Sequence, residues 1–520
     1  MMNPAVTEQP PPRRRWWLPS VSVVLWLVFF FAANLSLVRI MMIASDSDAC
    51  WHWQQGNWML QHHAVLRSEI FSHTRPGAPL VELWWLSEIV MALAGNHLGW
   101  GGIVLVASVV CATIVWLLHR QLLAEGNELL LSTMLTLLAA AVCATHWLAR
   151  PHLATQLMVV LFAWQLRWFN QGRTTPVQLL LLLPLLMALW ANLHGAFIVG
   201  FVLIGVYLIG ALVNWVRATG EQRRSLRQRT TVFLALMIAC SLASFLNPIG
   251  WKLPMQVIRY TSSPLMMGLT QEFLPPDFHD PGTLPFALVL VVTLLTLVIV
   301  RPRLNVTDGL LLTVWLALSL RMVRNGPVFA LVVTSILAEH WNVYLNTAAP
   351  SWILRRYRSL SARLTFINRT AVARGLPALA VIAMILVLAK PWLFGGQPLL
   401  ITELPSNQFP VATIKFLRQS PNAVHGEMFN DYMWGGYFTL AMPERKIFFH
   451  SNALVYGENI FRDFLRVNGA QPGWEEVLDK YRVGWTILPR EHRLNGALSQ
   501  RAGWRLVYTD PVATIYGRNP

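Results

Sequence analysis

At 520 residues, 55% of them hydrophobic and only 13% charged, the chain is too apolar for a soluble enzyme of its length and belongs in a bilayer. Its 41 Lys and Arg against 25 Asp and Glu give a formal net charge of +16, but the basic residues sit in short breaks between apolar runs, so they read as topology signals rather than a nucleic-acid surface. Cys50, Cys111, Cys143 and Cys240 lie far apart and mostly within apolar runs, which argues for neither a disulfide framework nor a cysteine metal site.

Residues 1–15 form a polar, Pro-rich tail ending in Arg13, Arg14 and Arg15, and the apolar run 16–43 follows. That run exceeds a signal-peptide core and further spans come after it, so it reads as an uncleaved first helix. Lys and Arg are retained on the cytoplasmic side, which puts the tail inside and residues 44–100 outside. A hydrocarbon core of roughly 30 Å needs about 20 apolar helical residues. Further spans are expected at 101–118, 129–147, 153–169, 177–192, 195–215, 231–246, 284–300, 308–322, 326–344 and 375–394. The basic stretches 217–229 and 355–374 then both fall inside, as do Arg301 and Arg303. Residues 81–95 and the region around Pro184 are the places where this count is open to change.

The fold class is thus an α-helical polytopic membrane protein of about eleven transmembrane helices, spanning residues 16–393, with a small C-terminal α/β soluble domain over 394–520. An odd number of spans puts that domain outside, in the bacterial periplasm. Amphipathic helices are expected around Val411–Leu417 and Trp474–Tyr481, strands at 446–450 and 483–488, and a hairpin across 506–516.

The first outer loop concentrates ionisable groups in a chain otherwise poor in acids: Asp46, Asp48, Glu69, Glu82 and Glu88 with His52, His62, His63 and His73. Asp48, with Asp46 its closest competitor, suits a general base, or the two suit oxygen ligands for a divalent cation. The histidines show no HExxH spacing and do not argue for zinc. Arg150, Arg321 and Arg324 stand at outer helix ends, against the charge bias that orients the rest. A guanidinium matches a phosphate through two parallel hydrogen bonds, so a lipid-linked phosphate is one partner for them. Snorkelling to headgroups or pairing with the loop carboxylates is the other. His152 and His194, also at outer helix ends, suit either a substrate-facing or a structural role.

An ordered series of motifs runs through most of the chain: Asp46-Ser-Asp48 with Trp51-His52, Gly56-Asn-Trp58, Glu69-Ile-Phe71-Ser72, Trp85-Leu86-Ser87-Glu88, Arg150-Pro151-His152, Trp190-Ala-Asn192-Leu-His194-Gly195, Asn247-Pro248-Ile-Gly250, Trp434-Gly435-Gly436-Tyr437 and Gly503-Trp504-Arg505-Leu506-Val507-Tyr508. The series resembles a family of bacterial multi-spanning proteins related to the GT-C glycosyltransferases. The resemblance implies a polyprenyl-phosphate-linked sugar donor, an acidic residue in the first outer loop and a periplasmic C-terminal domain. Glu69 stands where Asp is commoner, Cys50 replaces an aromatic or aliphatic residue, and His450-Ser451-Asn452 stands where Asp-Gly-Arg is frequent. The tail is therefore assigned to acceptor handling or structural cover.

The resulting expectation is an inverting sugar transfer to a periplasmic glycan, lipid or protein acceptor. Asp48 or Asp46 acts as base, Arg150, Arg321 and Arg324 bind donor phosphate, and His52, Glu69, Glu88, His152, Asn192 and His194 shape the cavity. The alternative is a lipid-linked substrate transporter or a non-catalytic partner in envelope polysaccharide assembly. Against transport, the spans show no clear internal repeat and no charged residue deep in a helix. A glycan-binding membrane sensor ranks third.

Overall fold

The computed structural model describes residues 15–35, 45–262, 267–268, 271–349, 351–390 and 402–519. The tail expected over 1–15 lies outside the described residues except for Arg15, as does the junction 391–401, where the domain boundary was expected. The described helices before the C-terminal segment are, in chain order, α1 (Val21–Asn34), α2 (Asp48–His62), α3 (Trp85–Ala124), α4 (Leu129–Ala144), α5 (His152–Asn170), α6 (Pro176–Leu193), α7 (Ile198–Arg217), α8 (Gly220–Ala243), α9 (Lys252–Thr261), α10 (Leu284–Leu295), α11 (Val306–Arg321), α12 (Gly326–Thr347), α13 (Trp352–Thr370) and α14 (Leu376–Ala389), of which α2, α9 and α13 were not expected as spans.

Each of the eleven expected spans coincides with a helix. Among the described residues, six segments are long and apolar enough to cross a membrane by length and composition: Trp85–Ala124, Pro176–Leu193, Gly195–Arg217, Gly220–Ala243, Pro281–Val300 and Val323–Thr347. The apolar helices α1, α4 and α14 are shorter. Residues 85–98 form the first part of α3, which bends at Gly99, whose φ of 63° only glycine adopts at little cost. Pro184 lies within an uninterrupted α6.

Hydrogen bonds sort the connections into two ends of the bundle. At one end Ser87 donates to Leu193 O (2.7 Å), Asn192 to Leu246 O (2.8 Å) and Val323 N to Leu274 O (2.9 Å). At the other, Arg173 donates to Ala124 O (2.9 Å), Arg229 to Asn170 O (2.9 Å) and Glu128 N to Asn342 Oδ1 (3.1 Å). This second end also holds Arg167, only 7% exposed, against Glu125, Asp308 and Glu339 from three other helices. Arg167 lies in the last turn of α5, at the end of the span rather than in its middle. It persists there because carboxylates converge on its guanidinium, and an unpaired buried charge is costly.

The C-terminal segment folds as α15 (Val411–Gln419), β1 (Glu427–Asn430), α16 (Gly435–Ala441), α17 (Ala453–Asn468), α18 (Trp474–Lys480), β2 (Val483–Pro489), α19 (Arg493–Ser499), β3 (Trp504–Thr509) and β4 (Ala513–Arg518). The sheet order is β1-β2-β4-β3, with β1 parallel to β2 and the other pairs antiparallel. The expected hairpin is β3–β4. Residues 446–450, expected as a strand, are not one. Ile447, Phe448, Phe449 and His450 are all fully buried, so no face alternates, and the Phe448 and Phe449 N–H groups donate to the Asn430 side chain (2.8 and 3.3 Å) instead of to a ladder.

This α/β unit does not close its core alone. Met59, Leu66 and Leu80 of the first outer loop pack with Phe429, Phe448, Phe449, Tyr456 and Phe464 of the tail in one apolar cluster. The closest approach is at Gly436, where an added Cβ would collide with the Ser47 backbone carbonyl. Helix α2 is held from its other side by Gly56, against which the Glu88 carbonyl and Ala92 of α3 are packed.

A buried polar cluster fixes α2 to α3. His52 Nδ1 lies 2.7 Å from Glu88 Oε1, and Gln55, with its amide nitrogen toward the acids, donates to Glu88 Oε1 (2.8 Å) and Glu82 Oε2 (3.1 Å). Burial pushes the Glu82 carboxyl up to about 7, against the lowering effect of the Trp84 and Leu83 N–H groups.

Two outcomes follow from this packing. Gly436→Ala should destabilise the protein by about 1–3 kcal/mol in thermal or denaturant unfolding, because the overlap is with backbone. Gly496→Ala, with nothing within 4 Å of the new methyl, is the neutral control. Glu82 has a folded pKa raised above its ordinary 4.5, so its contribution is intact below pH 4.5 and is lost as the pH rises through about 7. Glu82→Gln should remove that decline, leaving the variant more stable than the parent above pH 7 by up to about 3 kcal/mol in pH-resolved unfolding.

Candidate active site

The acids of the first outer loop and the turn between α4 and α5 meet at the end of the bundle that the C-terminal unit covers. Asp46 precedes α2 and accepts the Asp48 N–H (3.0 Å), satisfying one open donor at the helix start. Asp48 opens the helix, where its charge is favoured by the helix dipole, and His62 lies in the last turn.

Arg150 is delivered by the turn 145–151, anchored by the fully buried Trp147, whose Nε1 donates to Gln156 (2.9 Å). Its Nε and Nη2 form a two-point bridge to Asp46, the latter at 2.8 Å from Oδ1, and its Nη1 lies 2.9 Å from Asp48 Oδ2. Ser451 of the tail donates to Asp48 Oδ1 and in turn accepts from Trp51 Nε1 (3.1 Å). All four oxygens of Asp46 and Asp48 are therefore engaged.

Electrostatics separate the groups. Burial pushes the Asp48 carboxyl above its ordinary range, with Asp46 adding to this while Arg150 and the Ser451 hydrogen bond oppose it. For Arg150, burial works against the charge but the Asp46 and Asp48 carboxylates more than offset it and hold the guanidinium firmly protonated. Glu272 adds a third acid, 3.7 Å from Arg150 Nη1. Burial opposes its ionisation, yet the positive charges of Arg324 first and Arg150 second hold its carboxyl below the usual range.

The expected site residues divide accordingly. Asp46, Asp48 and Arg150 form one cluster, with Arg150 paired to the carboxylates as in the second of its two expected roles. Arg324 joins through Glu272 and lies over the Phe273 ring at 4.6 Å. Arg321 is exposed. His52 is buried against Glu88, with its ring 3.5 Å from that of Trp51. Glu69 accepts the Phe71 and Ser72 N–H groups (2.7 and 2.8 Å), and His450 Nε2 lies 3.9 Å from its other oxygen.

The remaining three make hydrogen bonds to neighbouring elements, and His152 also senses the charges of Glu272, Arg150 and Arg324. His152 Nε2 bonds the His146 carbonyl, and His194 Nδ1 contacts Thr155 Oγ1 (2.8 Å) and the Ala196 N–H (3.2 Å). Asn192 accepts from Trp85 Nε1 (2.8 Å) and donates to Ala188 O and Leu246 O.

Ser451, His450, Trp51 and Glu272 were missing from the expected site. Ser451 and His450 fall in the HSN stretch that departs from the family pattern, and Ser451 brings the tail into contact with Asp48. Trp51 lay inside the quoted motif and Glu272 carried no local signal. The Arg150 guanidinium lies between Asp46 and Asp48 and engages oxygens of both. Among the described residues no group of three or more His, Cys, Asp or Glu is arranged to hold a metal.

No protein-family model and no curated protein sequence matches the chain. Solved structures do. The archaeal oligosaccharyltransferase AglB from Archaeoglobus fulgidus, in complex with an inhibitory peptide and a dolichol-phosphate, aligns with a TM-score of 0.56 at 12% identity over 96% of this chain and 74% of its own. The apo form of the Archaeoglobus fulgidus oligosaccharyltransferase aligns at 0.54 and 12% identity, over 91% and 70%. ArnT from Cupriavidus metallidurans, bound to undecaprenyl phosphate, aligns at 0.50 and 11% identity, over 95% and 97%. The chain therefore shares its fold with these oligosaccharyltransferase and ArnT structures.

Proposed function

We propose that the protein is a membrane glycosyltransferase that moves a sugar from a polyprenyl-phosphate donor to an acceptor on the periplasmic side of the bacterial inner membrane. The observation that carries this reading is the buried Asp46–Asp48–Arg150 cluster, closed by Ser451 from the α/β unit. Two structural neighbours are described with dolichol-phosphate and with undecaprenyl phosphate, which supports the donor class. The basic stretches at the opposite end support an N-terminus inside and a C-terminal unit outside.

In this reading Asp48 is the base. A raised pKa brings a carboxylate closer to the acceptor hydroxyl it must deprotonate, and the Ser451 hydrogen bond and Arg150 hold its orientation. The acceptor oxygen bonds to the anomeric carbon while the bond from that carbon to the phosphate oxygen breaks, and the acceptor proton passes to Asp48. Displacement in one step from the face opposite the leaving group inverts the anomeric centre. The departing phosphate carries added negative charge, which Arg324, over the Phe273 ring and beside Glu272, is suited to receive. Asp46 keeps Arg150 in place, and Arg150 supplies the positive charge beside the acids.

Purified protein in lipid, supplied with candidate polyprenyl-phosphate sugars, tests the assignment. Asp48→Asn should lower transfer by at least about a hundredfold, and Ser451→Ala by a smaller factor. Asp46→Asn should combine lost transfer with lower thermal stability, since it strips a partner from a buried guanidinium. If Asp46→Asn and Asp48→Asn each left an observed transfer intact, the assignment of the base would fail. In this reading Arg150 takes the place of a cation, so a chelator should leave the rate unchanged; loss of transfer restored by added Mg²⁺ or Mn²⁺ would overturn that part of the reading.

A further inference from the structure

The basic stretch 355–374 is largely a helix, α13, and no part of the proposed site uses it. It joins the end of α12 at Thr347 to the start of α14 at Leu376, so apolar helices lead into and out of it. One face is fixed to the bundle: Leu354 and Ser361 are buried, and Arg358 donates to Leu345 O (2.9 Å) and Ala348 O (3.0 Å). The far end is tied to the chain before α1, where Arg15 N–H donates to Thr370 O (2.8 Å) and Val21 N–H to Asn368 Oδ1 (2.8 Å).

Two other faces point away from the bundle. Ile353, Leu360 and Ile367, seven residues apart and so nearly aligned along the helix, are 62%, 49% and 49% exposed. Arg356 and Arg363 follow the first two by three positions and flank that stripe, and Arg355 and Arg369 extend the basic arc; all four are exposed. Trp352, under the Arg356 guanidinium at 5.7 Å, and Phe366 are exposed beside them. The helix contains no Asp or Glu.

We infer that α13 lies in the membrane–water interface and binds anionic phospholipid headgroups through Arg356, Arg363 and Arg369, with Ile353, Leu360 and Ile367 seated among the acyl chains. An apolar stripe beside an arc of arginines is the pattern of an in-plane interfacial helix. The short links to two apolar helices hold it at bilayer depth. A second copy of the chain would bring the same acid-free basic arc to this face and repel it.

The test is thermal unfolding of the detergent-solubilised full chain titrated with phosphatidylglycerol or with phosphatidylcholine. Phosphatidylglycerol should stabilise it at lower concentration, an advantage that shrinks as salt is raised. Arg356→Gln/Arg363→Gln/Arg369→Gln should weaken the phosphatidylglycerol response by at least about tenfold while leaving the lipid-free unfolding temperature and the phosphatidylcholine response unchanged. Ile353→Ser/Ile367→Ser should weaken both lipid responses equally. Equal response of the parent to both lipids, full retention by the arginine variant, no loss in the serine variant, or a dimer in detergent that the arginine variant abolishes would each overturn the inference.

Discussion

The bridge from Arg150 to Asp46 and Asp48 is the interaction on which the outer end of this protein depends. One guanidinium, itself a quarter exposed, joins the start of α2 to the turn before α5 and meets two buried carboxylates that would otherwise repel each other. Burying any of the three charges alone would cost several kcal/mol, so the cluster is favourable only as a set. Its geometry also leaves Asp48 in a special position. Burial raises its pKa, while Ser451 and Arg150 hold it oriented, the combination a proton acceptor needs.

Ser451 makes the α/β unit a participant in the site. The tail packs its aromatic residues with Met59, Leu66 and Leu80, and Gly436 lets α16 approach Ser47 between the two aspartates. Loop and tail thus pack as one structure, and the segment between α16 and α17 brings the Ser451 hydroxyl to an acid lying 403 residues earlier in the chain. At the opposite end Arg167 repeats the same logic with Glu125, Asp308 and Glu339, joining four helices where hydrophobic packing alone gives little preference for a particular neighbour.

Several elements were legible from the residues alone. The helices α4 to α8 and α10 to α12 follow from apolar length, and β2, β3 and β4 from short β-branched and aromatic runs bounded by turn residues. Other features were not. Residues 446–450 look like a strand, but Ile447 to His450 are all fully buried and the Phe448 and Phe449 N–H groups are held by the Asn430 side chain, an arrangement with no periodicity to detect. Glu272 sits in a segment with no recognisable motif and becomes significant only between Arg150 and Arg324. Arg321 and Arg324, three positions apart at a helix end, read alike in sequence, yet one is exposed and the other faces the acids.

The sequence by itself determined that this is a membrane protein, the order of its helices, the α/β character of its tail, and the concentration of acids just after the first helix. Those properties depend on hydropathy and charge summed over short windows, which neighbouring residues fix. Only the tertiary structure decided which acid meets which arginine, that Ser451 closes the cluster, and which hydrogen bonds Asn192 and His194 make. Each of those outcomes joins residues far apart in the chain, 104 positions for Asp46 and Arg150, and is set by helix packing that no local pattern encodes.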